Sequence, residues 1–294
     1  MPDPGPRSDR ALGYAAALGA FLIWGLTPLY FKQVDAVAPL DLVAHRVVWS
    51  VPFLALVVTL GRGWAAVAAA IAHPRTMAIL AVTTLIIGGN WFLFTWAITS
   101  GRIVEASLGY FLGPLASIAL GIVFLRERLD RRRTAAVLIA GGAVLYEALG
   151  VTAGPSAALL LGASFAVYAL IRKRIRVDAV TGLLIETLLL LPPAAIWLVL
   201  RDGAGLGTGG AGLDLLILVG GTITTTPLLL FTIGSRRLDL TTIGFLQYIA
   251  PSISFLLGVL VYGEPFGPER AVTFGAIWLA ILLANLPVLR RPTA

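Results

Sequence analysis

The side chains best placed to do chemistry are ionisable ones set inside long apolar runs. Arg46 follows His45 about a third of the way into the run 39–60, and Glu186 lies within the run 179–200. An arginine at the centre of a membrane helix costs about 2.5–3.5 kcal/mol even on insertion scales, so its presence calls for a compensating role. Sliding the sequence by 140 residues lays Arg46 on Glu186 and Pro52 on Pro192, which places opposite charges at pseudo-equivalent depths. Either an Arg46–Glu186 pair across a cavity, or the two gripping opposite ends of a zwitterionic substrate, would relieve both burial costs. The plain structural alternative is an arginine that snorkels to the headgroups.

Glu105 and His45 are the candidates for proton coupling. Glu105 opens the run 103–125, where a carboxylate suits the macrodipole of a helix's first turn or serves as a protonatable group on a translocation path. His45 reads first as a hydrogen-bonded neighbour of Arg46 and second as a proton relay. The other histidine, His73, lies in a loop, and the chain has no cysteine, so no metal constellation can be assembled and no cofactor is expected.

Amides and aromatic groups complete the candidate substrate site. Asn90 and Gln247 are polar groups inside apolar runs, either substrate-facing or hydrogen-bonding between helices. Trp91, Tyr110 and Tyr248 offer aromatic faces with a polar handle nearby, the composition of a small-molecule cavity. Trp24 and Tyr168 sit at similar points of two first helices, in that cavity or in an aromatic belt. Pro114 and Pro251 remove backbone donors, marking packing kinks or hinges. Glu127 and Glu264 stand at helix exits, where capping or loop ordering is the expected role.

The elements that must position these groups are membrane helices. Of 294 residues, 58% are hydrophobic and only 13% charged, and the mean hydropathy is +0.92. Ten apolar segments are each near the length that crosses a bilayer: 11–32, 39–60, 76–98, 103–125, 134–149, 155–171, 179–200, 213–233, 240–262 and 271–289. The net charge of +7 sorts by side. With the N-terminus inside, Arg7, Arg10, Arg62, Arg75, the cluster 126–133, the cluster 172–176, Arg236, Arg237, Arg290 and Arg291 share one side, while Lys32, Arg102, Arg201 and Arg270 face the other. The positive-inside rule then puts both termini in the cytoplasm, and nucleic-acid binding is not implied. The opening ten residues read as a short disordered tail before a retained first helix. The stretch 203–212, GAGLGTGGAG, has no lysine and reads as a flexible outer loop, not a phosphate cradle.

The chain is an internal duplication. A shift of 137 residues lays the segment from Asn90 on that from Pro227 without gaps, matching Leu93/Leu230, Phe94/Phe231, Thr95/Thr232, Pro114/Pro251, Ser117/Ser254, Gly121/Gly258 and Glu127/Glu264. Five crossings per half is an odd number, so the halves are expected as inverted repeats, with a substrate site near the midplane between them. Gly109, Gly113, Ser117 and Gly121, echoed by Ala250, Ser254 and Gly258, form small-residue ridges that let backbones approach closely.

These motifs carry a family resemblance. Asn90-Trp91 with Phe94-x-Trp96-Ala97, EASLGYFLGPL at 105–115, Leu125-x-Glu127-x-Leu129, LQYIAP at 246–251 and GEPF at 263–266 resemble RarD-type permeases of the EamA family, in the drug/metabolite transporter superfamily. The resemblance implies an all-α integral membrane protein of ten transmembrane helices, arranged as two inverted five-helix EamA repeats at 11–149 and 155–289, between cytoplasmic tails 1–10 and 290–294. It further implies a bacterial inner-membrane permease for a small metabolite or drug; RarD-type proteins are commonly known as chloramphenicol-sensitivity permeases. The expected partners are a charged or zwitterionic small molecule and the lipid bilayer, with monomer and homodimer both open. A channel or non-transporting scaffold is the alternative. An intramembrane enzyme is disfavoured because no G-x-S-x-G occurs and His45 is the lone intramembrane imidazole.

Overall fold

The computed structural model describes residues 6–99, 103–149, 156–202, 204–263 and 268–285. Among them every regular element is a helix: α1 (Pro6–Phe31), α2 (Pro39–Leu60), α3 (Trp64–Ala72), α4 (Pro74–Thr99), α5 (Ile103–Leu125), α6 (Arg131–Leu149), α7 (Ser156–Arg174), α8 (Ala179–Leu200), α9 (Ala211–Arg237), α10 (Leu240–Gln247), α11 (Ile249–Leu260) and α12 (Pro268–Asn285). Six stretches are long and apolar enough to cross a membrane: Asp9–Phe31, Pro39–Leu60, Pro74–Phe94, Ala179–Leu200, Ala211–Arg237 and Leu240–Leu260. Shorter apolar helical stretches run over Gly109–Leu125 and Ala271–Ala284. Leu22, Leu26, Leu85, Leu138 and Leu279 stand exposed on the outside of the bundle, as lipid-facing residues do.

Three local features depart from the sequence reading. Helix α1 reaches back to Pro6, through the residues expected as a disordered tail, because a proline at the first helical position fits the helix without losing a bond. Helix α3, WAAVAAAIA, forms where only a polar break was expected; alanine is the strongest helix former, and nine residues are too few to cross a bilayer. The run 240–262 is broken at Tyr248. Pro251 has no N–H to offer the Gln247 carbonyl, and bonding resumes with Ser252 N donating to Tyr248 O at 3.2 Å. Pro114, its equivalent, leaves α5 a single helix.

The halves meet in exchanged pairs. Helix α1 packs on α9, and α4 on α7; α2 packs on α9, and α4 on α8; α1 packs on α10 and α11, and α5 on α7. The pairs α2–α8, α6–α12 and α5–α10 stand alone. One residue class makes the exchange visible at atomic scale. A Cβ on Gly162 would lie 2.8 Å from Gly113 N, and one on Gly25, exactly one 137-residue step earlier in the chain, would lie 3.1 Å from Ala250 O. Since Ala250 is the counterpart of Gly113, the two crossings are copies of one close backbone contact.

Candidate functional site

Arg46 projects from α2 into the middle of the bundle. Its Nε donates to Thr224 Oγ1 of α9 at 2.5 Å, and its guanidinium lies 5.5 Å from the Phe31 ring centroid of α1 and 5.8 Å from that of Trp91 on α4. The phenols of Tyr30 and Tyr110 are near enough to feel its charge. Ser50, one turn along α2, donates to Gly221 O at 3.1 Å and fixes α2 against α9 at this level. Tyr110 is 53% exposed although protein surrounds it in depth, which places it on the wall of an open central space; its ring meets Phe94 edge-on at 5.7 Å. Arg46, Trp91 and Tyr110, picked from the sequence, thus come together with Tyr30, Phe31 and Thr224, which were not.

Glu186 sits elsewhere. It accepts from Thr83 Oγ1 of α4 at 2.5 Å and from the Tyr168 hydroxyl of α7 at 3.1 Å, and Arg172 Nε lies 3.7 Å away. All four side chains are buried. The expected Arg46–Glu186 pair is therefore replaced by an Arg172–Glu186 pair. The physical reason is the exchange of helices between halves: Arg46 bonds a threonine on α9, Glu186 bonds one on α4, and those are the third long helices of opposite halves. Although α2 and α8 pack on each other, the Arg46 and Glu186 side chains turn toward different helices and do not meet. Arg172 reached this site past Gly182, where a Cβ would stand 2.1 Å from its Nη1. In the sequence it looked like one more member of a basic loop cluster.

The remaining candidates divide between packing and closure. Asn90 uses its amide group to donate to Leu161 O at 2.9 Å and Ser164 Oγ at 2.8 Å, joining α4 to α7. Gln247 accepts from Ser117 at 3.5 Å and stands over Gly113, at the contact of α10 with α5. Tyr248 is fully buried with its hydroxyl on Phe111 O at 3.2 Å, so it is a packing group in this arrangement and not a cavity wall. Trp24 belongs to an aromatic cluster with Phe21, Phe165 and Phe231. Tyr168 serves Glu186, as above. His45 turns away from Arg46, because successive helical residues point about 100° apart, and its Nε2 donates to Ala204 O at 3.2 Å. That bond, with Asp214 Oδ1 accepting from Gly207 N at 2.7 Å, pins a loop expected to be flexible. The side chain of Glu105 and all of Glu264 lie outside the described residues.

One end of the bundle is tied by side chains acting on helix termini. Glu127 accepts from Leu240 N at 2.6 Å and Thr241 N at 2.7 Å, capping α10 from the other half of the chain. Lys173 donates to the carbonyls of Ser235, at 2.8 Å, and Leu238, at the end of α9. Arg237 pairs with Asp9 at 2.8 Å. At the opposite end, Asp41 accepts from Trp197 Nε1 at 2.9 Å and lies 3.6 Å from Arg201.

Apolar helices long enough to cross a bilayer, with Arg46 held among them, are the features of a membrane protein. The EamA-like transporter family matches the chain twice, over residues 11–146 and 152–286, and the chain belongs to that family. It is 44% identical over 274 residues to Protein RarD of Escherichia coli strain K12, covering 92% of this chain and 93% of that one. It is 42% identical over 287 residues to an uncharacterized transporter of Vibrio cholerae serotype O1, covering 97% and 95%. A solved crystal structure shares the fold with a TM-score of 0.73 at 21% identity, over 96% of this chain and 99% of the other.

Proposed function

We propose that the protein is a secondary transporter of the bacterial inner membrane that moves a small molecule by alternating access. In this reading the chain crosses ten times, through α1, α2, α4 to α9, the broken α10–α11 span and α12, with both termini cytoplasmic and the halves inverted. The exchanged pairing of helices between halves is the observation that carries it, since two inverted bundles meeting this way can rock about a central site. The duplicated sequence and the doubled family match support it further. Arg46, Trp91 and Tyr110 form the substrate-facing wall, and the end tied by Glu127, Lys173 and Arg237 is the closed cytoplasmic one. Asn90, Gln247, Trp24, Tyr168, Tyr248 and Glu186 hold the walls in register and do not touch substrate in this state. Pro251, beside the break at Tyr248, is the hinge.

Reconstituted proteoliposomes test the reading. Saturable uptake that is accelerated by substrate loaded on the opposite side is the expected result. Flux that neither saturates nor exchanges would make the protein a channel, and no flux for any solute that binds would make it a scaffold. Reporter fusions after Arg62, Arg128 and Arg176 are expected on the cytoplasmic side; an outward reporter at any of these would overturn the topology.

A further inference from the structure

We propose that the substrate is an organic monoanion, a carboxylate on a flat aromatic body, held end-on by Arg46. This rests on the central space being the transport path. Thr224 occupies Nε, and the Arg46 side chain makes no other hydrogen bond among the described residues; neither Nη is among the fully enclosed unpaired nitrogens, so both keep accessible surface for a ligand. Two Nη groups side by side match the two oxygens of one carboxylate, a geometry that a lysine does not offer. No carboxylate of the described residues stands within ion-pair reach of Arg46. Among the described residues the site therefore carries one uncompensated positive charge, which one negative charge from a ligand would neutralise.

The surroundings specify the rest of the molecule. Phe31 and Trp91 present rings to the guanidinium, and Tyr110 presents a half-exposed ring further along the wall. Such walls favour a planar apolar body over a sugar or polyol. A zwitterion's ammonium would need a carboxylate of its own, and the one at the pseudo-equivalent depth, Glu186, is enclosed and already faces Arg172. A dianion such as a phosphate monoester would bring one more charge than the described wall neutralises.

Thermal unfolding of the full-length protein in detergent, with benzoate, phenylacetate and indole-3-acetate as probes, tests the assignment against benzamide and phenylalanine. At least one of the acids is expected to raise Tm in the wild type, with no effect from the amide or the amino acid. The shift is expected to vanish in Arg46→Ala and to need more ligand in Arg46→Lys. Should Arg46→Ala not fold, Thr224→Val keeps the charge and frees the fork, and is expected to require higher acid concentrations for the same shift. Stabilisation by benzamide equal to that by benzoate, persistence of the shift without Arg46, a response to phenylalanine alone, or no response to any acid would each overturn the proposal. An acid that binds through Arg46 yet gives no exchange flux in proteoliposomes would leave the anion site standing and overturn the transporter reading instead.

Discussion

Arg172 Nε lies 3.7 Å from Glu186 Oε1, and neither side chain reaches the surface. The contact is an ion pair without a close hydrogen bond, while Thr83 and Tyr168 satisfy the carboxylate from the other sides. Arg172 Nε and Nη1 have no hydrogen-bond partner among the described residues. A pair of this kind contributes little net stability but is costly to break from one side.

Arg172→Met and Glu186→Leu, made singly, are each expected to destabilise the protein by about 3–5 kcal/mol, because each leaves one buried charge alone. The double variant is expected to recover most of that loss. A double-mutant cycle on thermal unfolding in detergent measures it, and additive losses would mean the two charges are not coupled.

Glu127 caps α10 across the boundary between the halves. Glu127→Ala is expected to cost about 1–2 kcal/mol, with Glu127→Gln losing less because an amide oxygen still accepts. Hydrogen exchange is the direct readout: the Leu240 and Thr241 amides should lose protection before those of α9. Unchanged exchange at both would mean that the cap does not hold in the membrane.

Gly162→Val should be among the most damaging single changes, since its side chain would meet the backbone of Leu112 and Gly113. Gly141→Ala meets nothing within 4 Å and is expected to be neutral or to stabilise α6 by about 0.5–1 kcal/mol. Folded yield and Tm compared across the two variants check the claim that α5 and α7 are held by backbone contact.

Pro251→Ala restores the missing N–H and should let α10 and α11 join. Ligand binding is expected to persist while the exchange rate falls, and Pro114→Ala, in a helix that is already continuous, is expected to have a smaller effect. Equal effects from the two prolines would remove Pro251 from the hinge role.

Much of this was legible in the residues. The apolar runs fix helices because every backbone donor and acceptor in lipid must be satisfied within its own segment. A 137-residue repeat exposed the duplication, and an arginine in an apolar run stood out as a group needing a partner, which Thr224 supplies. The pairing of side chains was not legible. An offset identifies equivalent positions but not whether they touch: Phe111 and Tyr248, 137 residues apart, are hydrogen-bonded, whereas Arg46 meets Thr224 and Glu186 meets Arg172. Sequence also hid α3, a short alanine-rich helix between two spans, and the trans cap by Glu127, whose partner amides come 113 and 114 residues later.

By itself, then, the sequence determined that the long apolar runs are helical and that the chain is built twice, because both follow from local hydrogen bonding and composition. Only the tertiary structure decided which charge is neutralised and which is left open to a ligand. That depends on helices crossing between the halves, a long-range geometry set by close contacts such as Gly25 on Ala250 and Gly162 on Gly113, and no local pattern encodes it.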